Sequence, residues 1–184
     1  MDPIRFPYLV HENVTHSASL IRLVLFDVDG VLTDGRLFLD DTGRETKAFY
    51  ARDGHGLRML QMTGVEIGII TGRTSRVVEL RAAELGVKHL FQGCRDKLPV
   101  YDTLVRECGL TQQAVAFVGD DIVDLPIMAR VGLAVAVQDA HYLVKERAHW
   151  VTPSAGGCGA ARDVCELIME AQGNYEREFA RFLS

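Results

Sequence analysis

Four separated groups of polar residues stand out: Asp27-Val28-Asp29-Gly30-Val31, Thr71-Gly72-Arg73, Lys97, and Gly119-Asp120-Asp121 with Asp124. The first, second and fourth each follow directly on an apolar run. Singly they are ordinary, since paired aspartates cap turns, Thr-Gly closes them and a lone lysine opening a helix is usually solvated. Their ordered recurrence after successive apolar runs is not something independent turns would produce. Together they supply carboxylates, a hydroxyl and a cation. Asp27 and Asp120, with the Asp29 main-chain carbonyl between, suit Mg²⁺, which prefers oxygen ligands and keeps several waters. A carboxylate approaching a phosphate monoester dianion needs positive charge nearby. Lys97 and the Thr71 hydroxyl can hold the transferring oxygens. The expected chemistry is in-line attack by Asp27, giving an aspartyl-phosphate. Asp29 points differently because side chains alternate in an extended segment. It is expected to protonate the leaving alkoxide and then take a proton from the hydrolytic water. The two aspartates would titrate as a coupled pair.

These groups need a scaffold that brings strand ends together. Apolar runs occur at residues 21–26, 65–70, 89–91, 115–118, 133–137 and around 150–151. Helical spacing is found between most of them, over 56–62, 75–85, 97–108, 125–131 and 140–148, and a last helix is expected over about 160–171. Buried strands alternating with helices predict an α/β fold, a doubly wound and mainly parallel sheet covered on both faces. Its ligand crevice lies beyond the carboxyl ends of the strands. Residues 36–39 and 45–50 flank Asp40-Asp41-Thr42-Gly43 and read as a β-hairpin after the first strand. No segment is long enough for a cap domain. The expected organisation is an N-terminal arm over 1–18, one domain over 19–172 and a C-terminal tail over 173–184.

At 184 residues, one core is comfortable. Net charge is −5 with both signs mixed along the chain, which argues against nucleic acid or an anionic membrane as partner. No apolar run approaches the roughly 18 residues of a membrane span. Cys94, Cys108, Cys158 and Cys165 form no Cys-x-x-Cys pair and have no histidine at zinc-ligand spacing beside them. With no signal-peptide pattern at the start, reduced cysteines and a cytoplasmic location are expected.

The four groups, in this order and spacing, resemble the motifs of the haloacid dehalogenase superfamily. The resemblance implies Asp27 as nucleophile, Asp29 as general acid/base, and metal binding by Asp27, the Asp29 carbonyl and Asp120. From about Leu20 to Ala171 the chain is more closely similar to 3-deoxy-D-manno-octulosonate 8-phosphate phosphatases. Asp27 to Gly35, Lys47-Ala48-Phe49, Arg52-Asp53-Gly54-His55-Gly56, Ile69 to Arg73, Gly119 to Asp124 and Ala136 to Ala140 carry this likeness. It implies a capless, tetrameric enzyme of lipopolysaccharide precursor synthesis. It also implies substrate contacts at Arg52, Asp53, Gly54, Arg58, Gly72, Arg73, Arg81 and Lys97. His55, where a tyrosine or apolar residue is expected, and Cys158, where many members have arginine, depart from the pattern.

An octulosonate phosphate carries a carboxylate besides its phosphate, and an arginine fork matches a carboxylate bidentately. Arg52 and Arg58 flank what reads as a Gly-rich turn opening a helix, whereas Arg81 has the pattern of ordinary helix surface. A nine-carbon sugar acid 9-phosphate is the alternative substrate, and a phosphatase-like binding subunit without activity the alternative class. A phosphomutase would normally need a cap. A receiver domain would carry its acceptor aspartate after the third strand, where this chain has Gln92-Gly93. In the hairpin, apolar residues on both faces predict burial against another subunit.

Overall fold

The computed structural model describes residues 6–183. Six strands form one sheet: β1 (Leu23–Phe26), β4 (Glu66–Ile70), β5 (His89–Phe91), β6 (Val115–Gly119), β7 (Leu133–Ala136) and β8 (Trp150–Val151). Their order is β5-β4-β1-β6-β7-β8, and every pairing is parallel. All residues of β1, β6 and β7 are buried, as strands covered on both faces require. The chain winds outward from β1 through β4 to β5, then returns to the other side of β1 with β6. That reversal opens a crevice between the carboxyl ends of β1 and β6.

The covering helices are α1 (Glu12–Ser19), α2 (Ala51–Met62), α3 (Arg76–Leu85), α4 (Leu98–Glu107), α5 (Leu125–Met128), α6 (Tyr142–Arg147), α7 (Ala160–Ala171) and α8 (Tyr175–Ala180). Their apolar faces join the strands in a single core. Residues 12–18, within the stretch read from the sequence as an arm, form most of α1, and Val14 and Ala18 are buried. Helix α8 lies within the stretch read as a tail, with Tyr175 buried.

Two further differences touch the site. The hairpin strands are shorter than expected, β2 being Phe38–Leu39 and β3 Glu45–Thr46, paired antiparallel. Residues 53–56, read as a turn opening a helix, already belong to α2, which begins at Ala51. Their glycines serve close packing: a methyl group at Gly56 would lie 3.2 Å from Arg162 Cα in α7, and one at Gly54 would lie 2.2 Å from Arg81 Nη2 in α3.

Candidate active site

Asp27 directly follows β1, and its main-chain N–H donates to the Val118 carbonyl of β6 at 3.1 Å, which fixes it at the crevice. Its Oδ1 accepts from the Val28 N–H at 2.7 Å, and its Oδ2 lies 2.9 Å from Lys97 Nζ. Lys97, at the start of α4, also donates to Asp124 Oδ1 at 2.7 Å. The second Asp124 oxygen accepts from the N–H groups of Asp120 at 3.1 Å and Asp121 at 3.4 Å. Asp124 therefore holds both the cation and the loop after β6. Asp27, Lys97 and Asp124 are all buried.

Asp120 closes the cluster. Gly30 has φ +90°, and a methyl group there would lie 2.1 Å from Asp120 Oδ2, so only glycine lets the loop after β1 approach this carboxylate. One oxygen each from Asp27, Asp120 and Asp124 lie within 4.8 Å of one another. Burial, then the carboxylates of Asp124, Asp27 and Asp121, push the Asp120 carboxyl up to about 8. Burial likewise raises Asp27 to about 6 against the opposing pull of Lys97. Burial also works against the Lys97 ammonium, but Asp124 and Asp27 outweigh it and raise its pKa. Asp120 Oδ1 is buried and has no hydrogen-bond partner among the described residues. Crowded carboxylates with an orphaned oxygen are a donor set that fits a hard divalent cation. Asp120 has a free oxygen to give and Asp27 reaches the same point with one of its own, whereas both oxygens of Asp124 are held by Lys97 and the loop after β6.

Asp29 faces the hairpin. Its carboxylate is ion-paired with the Lys47 ammonium, whose side chain is 1% exposed, and lies 3.7 Å from Arg73 Nε. Glu45 on β3 binds the same two cations, Arg73 at 2.8 Å and Lys47 at 3.2 Å. Burial opposes ionisation of Glu45, yet hydrogen bonds from Ser75, Arg73 and Lys47 bring its carboxyl down to about 2. Lys47 and Glu45 were not singled out from the sequence as site residues. The signal for them was the alternation Glu45-x-Lys47, which puts both on one face of the return strand. Asp124 stood in the fourth motif, but its grip on Lys97 is visible only in three dimensions.

Thr71 follows β4, the neighbour of β1, and is buried, its carbonyl accepting from the Cys94 N–H at 3.0 Å. Gly72 is exposed in the loop that follows. The remaining predicted substrate contacts lie on α2 and α3. Arg52 is exposed, its guanidinium 5.9 Å from the Tyr50 ring centroid. Arg58 reaches from α2 to donate to the Glu84 carbonyl of α3, and Arg81 donates to the Glu84 carboxylate within α3 at 2.9 Å. Asp53 is turned away from solvent, its Oδ1 accepting from the Arg162 N–H in the first turn of α7 at 2.9 Å. His55 is exposed and stacks edge-on against Phe182, 5.3 Å between centroids.

Comparison with known proteins gives the chain a family. Residues 92–162 match the haloacid dehalogenase-like hydrolase family. Over 167 residues the chain is 47% identical to the 3-deoxy-D-manno-octulosonate 8-phosphate phosphatase of Escherichia coli strain K12, covering 91% of this chain and 89% of that protein. The chain belongs to the 3-deoxy-D-manno-octulosonate 8-phosphate phosphatase family. Among solved members of this family, the Yersinia pestis phosphatase superimposes with a TM-score of 0.88 at 47% identity, over 90% of this chain and 89% of that one. The Moraxella catarrhalis phosphatase, solved in complex with magnesium ion, phosphate ion and KDO, superimposes with a TM-score of 0.91 at 40% identity, over 94% and 99% of the two chains. Between β1 and α2 this phosphatase carries only the short β2–β3 hairpin, with no inserted cap domain among the described residues.

Proposed function

We propose that this phosphatase hydrolyses 3-deoxy-D-manno-octulosonate 8-phosphate to the free sugar acid and phosphate, a step of lipopolysaccharide precursor synthesis, in the cytoplasm and with Mg²⁺. The observation that carries the chemistry is the buried Lys97 bridging Asp27 and Asp124 beside the orphaned oxygen of Asp120. Asp27, Asp120 and the Asp29 carbonyl would hold Mg²⁺, which supplies the positive charge that lets a carboxylate approach a phosphate dianion. Asp27 attacks phosphorus as the ester P–O bond breaks. Asp29 gives its proton to the leaving alkoxide, and Lys97 and the Thr71 hydroxyl hold the equatorial oxygens. Water then attacks the same phosphorus, Asp29 takes its proton, and the P–O bond to Asp27 breaks to release phosphate. Lys47 and Arg73 keep the Asp29 carboxylate in place for both transfers.

Recognition of the sugar acid is assigned to the arginines, with Arg52 exposed at the start of α2. The assembly is proposed as a homotetramer in which the hairpins pack together and wall the crevice. A panel of sugar-acid phosphates with and without Mg²⁺ tests this reading. Phosphate release should require Mg²⁺, and kcat/KM should be highest for the eight-carbon 8-phosphate. Arg52→Ala should lower kcat/KM on that substrate by roughly tenfold or more while barely changing p-nitrophenyl phosphate, which has no carboxylate to grip. Preference for a nine-carbon 9-phosphate, or equal losses on both esters, would overturn the substrate assignment.

A further inference from the structure

The amino ends of the strands, opposite the crevice, carry a second cluster of ligating side chains. Glu66 opens β4, His89 opens β5 and Cys108 is the C-cap of α4. A carboxylate oxygen, a ring nitrogen and Sγ from these three lie within 4.8 Å of one another. His89 Nε2 is 2.8 Å from one Glu66 oxygen, and Lys88 Nζ donates to the other at 2.6 Å. The backbone imposes this meeting. His89 pairs with Gly68, and alternation puts Glu66 on the Gly68 face of β4. A methyl group at Gly68 would lie 3.1 Å from His89 Cβ and 2.6 Å from Leu25 Cδ2, so glycine there leaves His89 its seat. A cleft of about 340 Å³ bordered by Arg22, Gly64, Glu66, Cys108 and Leu110 gives the cluster access to solvent.

We propose that Glu66, His89 and Cys108 form a second metal site, of the Zn²⁺ class, with the cleft supplying a solvent ligand at the fourth position. Thiolate, imidazole and carboxylate are the donors that zinc-like ions take in four-coordinate sites, while Mg²⁺ demands oxygen. An ion pair between Glu66 and its two basic neighbours accounts for the carboxylate but gives the thiol no role. Binding releases the thiol proton to solvent, and Lys88 stays on the far Glu66 oxygen to orient the carboxylate. The ion would tie β4, β5 and α4 together at one end. Ten residues of α4 place it about 15 Å from Lys97 at the other end.

The test uses metal-stripped protein saturated with Mg²⁺ and then titrated with Co²⁺. One equivalent should give a thiolate-to-cobalt charge-transfer band in the near ultraviolet, which an oxygen-lined site cannot produce, and Zn²⁺ should bleach it. Cys108→Ser should abolish the band, Cys94→Ser should keep it, and His89→Gln should weaken Co²⁺ binding roughly tenfold or more. Mg²⁺-supported phosphate release by Cys108→Ser at the wild-type rate would certify its fold. Should that variant not fold, loss of the Zn²⁺-induced rise in thermal midpoint in His89→Gln carries the test, and an undiminished rise refutes the site. No band in the wild type, or a band that survives Cys108→Ser, also overturns the proposal.

Discussion

One ammonium, that of Lys97, faces the three carboxylates of Asp27, Asp120 and Asp124, and this imbalance governs the metal-free site. Asp27 is raised to about 6 and Asp120 to about 8, above the ordinary carboxylate range they regain on unfolding. Between about pH 4 and pH 8 these two groups therefore bind more protons in the folded chain than in the unfolded one, so their contribution to stability falls as pH rises through that window. Asp27→Asn removes one of the competing charges. It should cut kcat by at least about a thousandfold, because an amide is no nucleophile. It should also raise the metal-free thermal midpoint at pH 8 by roughly 3 °C and flatten its decline from pH 5. Calorimetry in chelator across that range checks both statements; a midpoint lowered at pH 8 would mean that carboxylate repulsion does not set these values. At this scale the sequence reveals what sits at strand ends. Asp27, Lys97 and Asp120 are legible because their motifs follow apolar runs in order. Lys47 is not, because its partner Asp29 lies 18 positions away and the hairpin between them is too irregular to give a reliable register. The trio of Glu66, His89 and Cys108 is equally invisible, since no local spacing unites a strand start, its neighbour and a helix end.

The seam between α2 and α7 shows why elements are legible to different degrees. Buried parallel strands read as apolar runs, so the six sheet strands fall within two residues of where the pattern puts them. Helix α2 is obscured at its start because Gly54 and Gly56 look like turn residues, when each lets another helix approach. Helix α1 offers only Val14 and Ala18 as a periodic signal. Asp53 belongs to the same seam. It receives the Arg162 N–H at 2.9 Å, and a backbone hydrogen bond from Gly159 also supports its ionised form, so a side chain of α2 caps α7. Burial nevertheless raises its carboxyl to about 6. The folded state holds that proton more tightly than the unfolded state, so the contribution of Asp53 diminishes as pH rises from about 4 through 6. Asp53→Ala should cost about 1–2 kcal/mol at pH 5, the usual price of a lost cap, and less at pH 8. Urea denaturation at the two pH values measures this directly. A raised KM for the phosphate ester with unchanged stability would instead make Asp53 a substrate contact.

For the whole molecule, the hairpin poses the decisive question. Strands β2 and β3 are two residues each and, among the described residues, pair only with one another, too little to be stable alone in water. Leu37, Phe38 and Leu39 are each about half exposed, at 49%, 50% and 58%. Three consecutive apolar side chains on a protruding ribbon are the kind of patch that another subunit covers. The same ribbon carries Glu45 and Lys47, which hold Arg73 and Asp29. With Asp29 in its proposed role, ribbon order and proton transfer would be coupled, since a loose ribbon would let Lys47 release the Asp29 carboxylate. A symmetric assembly of hairpins would bury the apolar row and fix Lys47 in one move. Phe38→Asp places a charge in that contact while leaving every reacting residue in place. The variant should sediment as a smaller species than the wild type and lose kcat by roughly tenfold or more, with Mg²⁺ affinity nearly unchanged because Asp27 and Asp120 lie on the sheet rather than the ribbon. A wild-type chain that sediments as a fully active monomer at assay concentrations would refute the coupling, for the ribbon would then hold Lys47 on Asp29 without a neighbour.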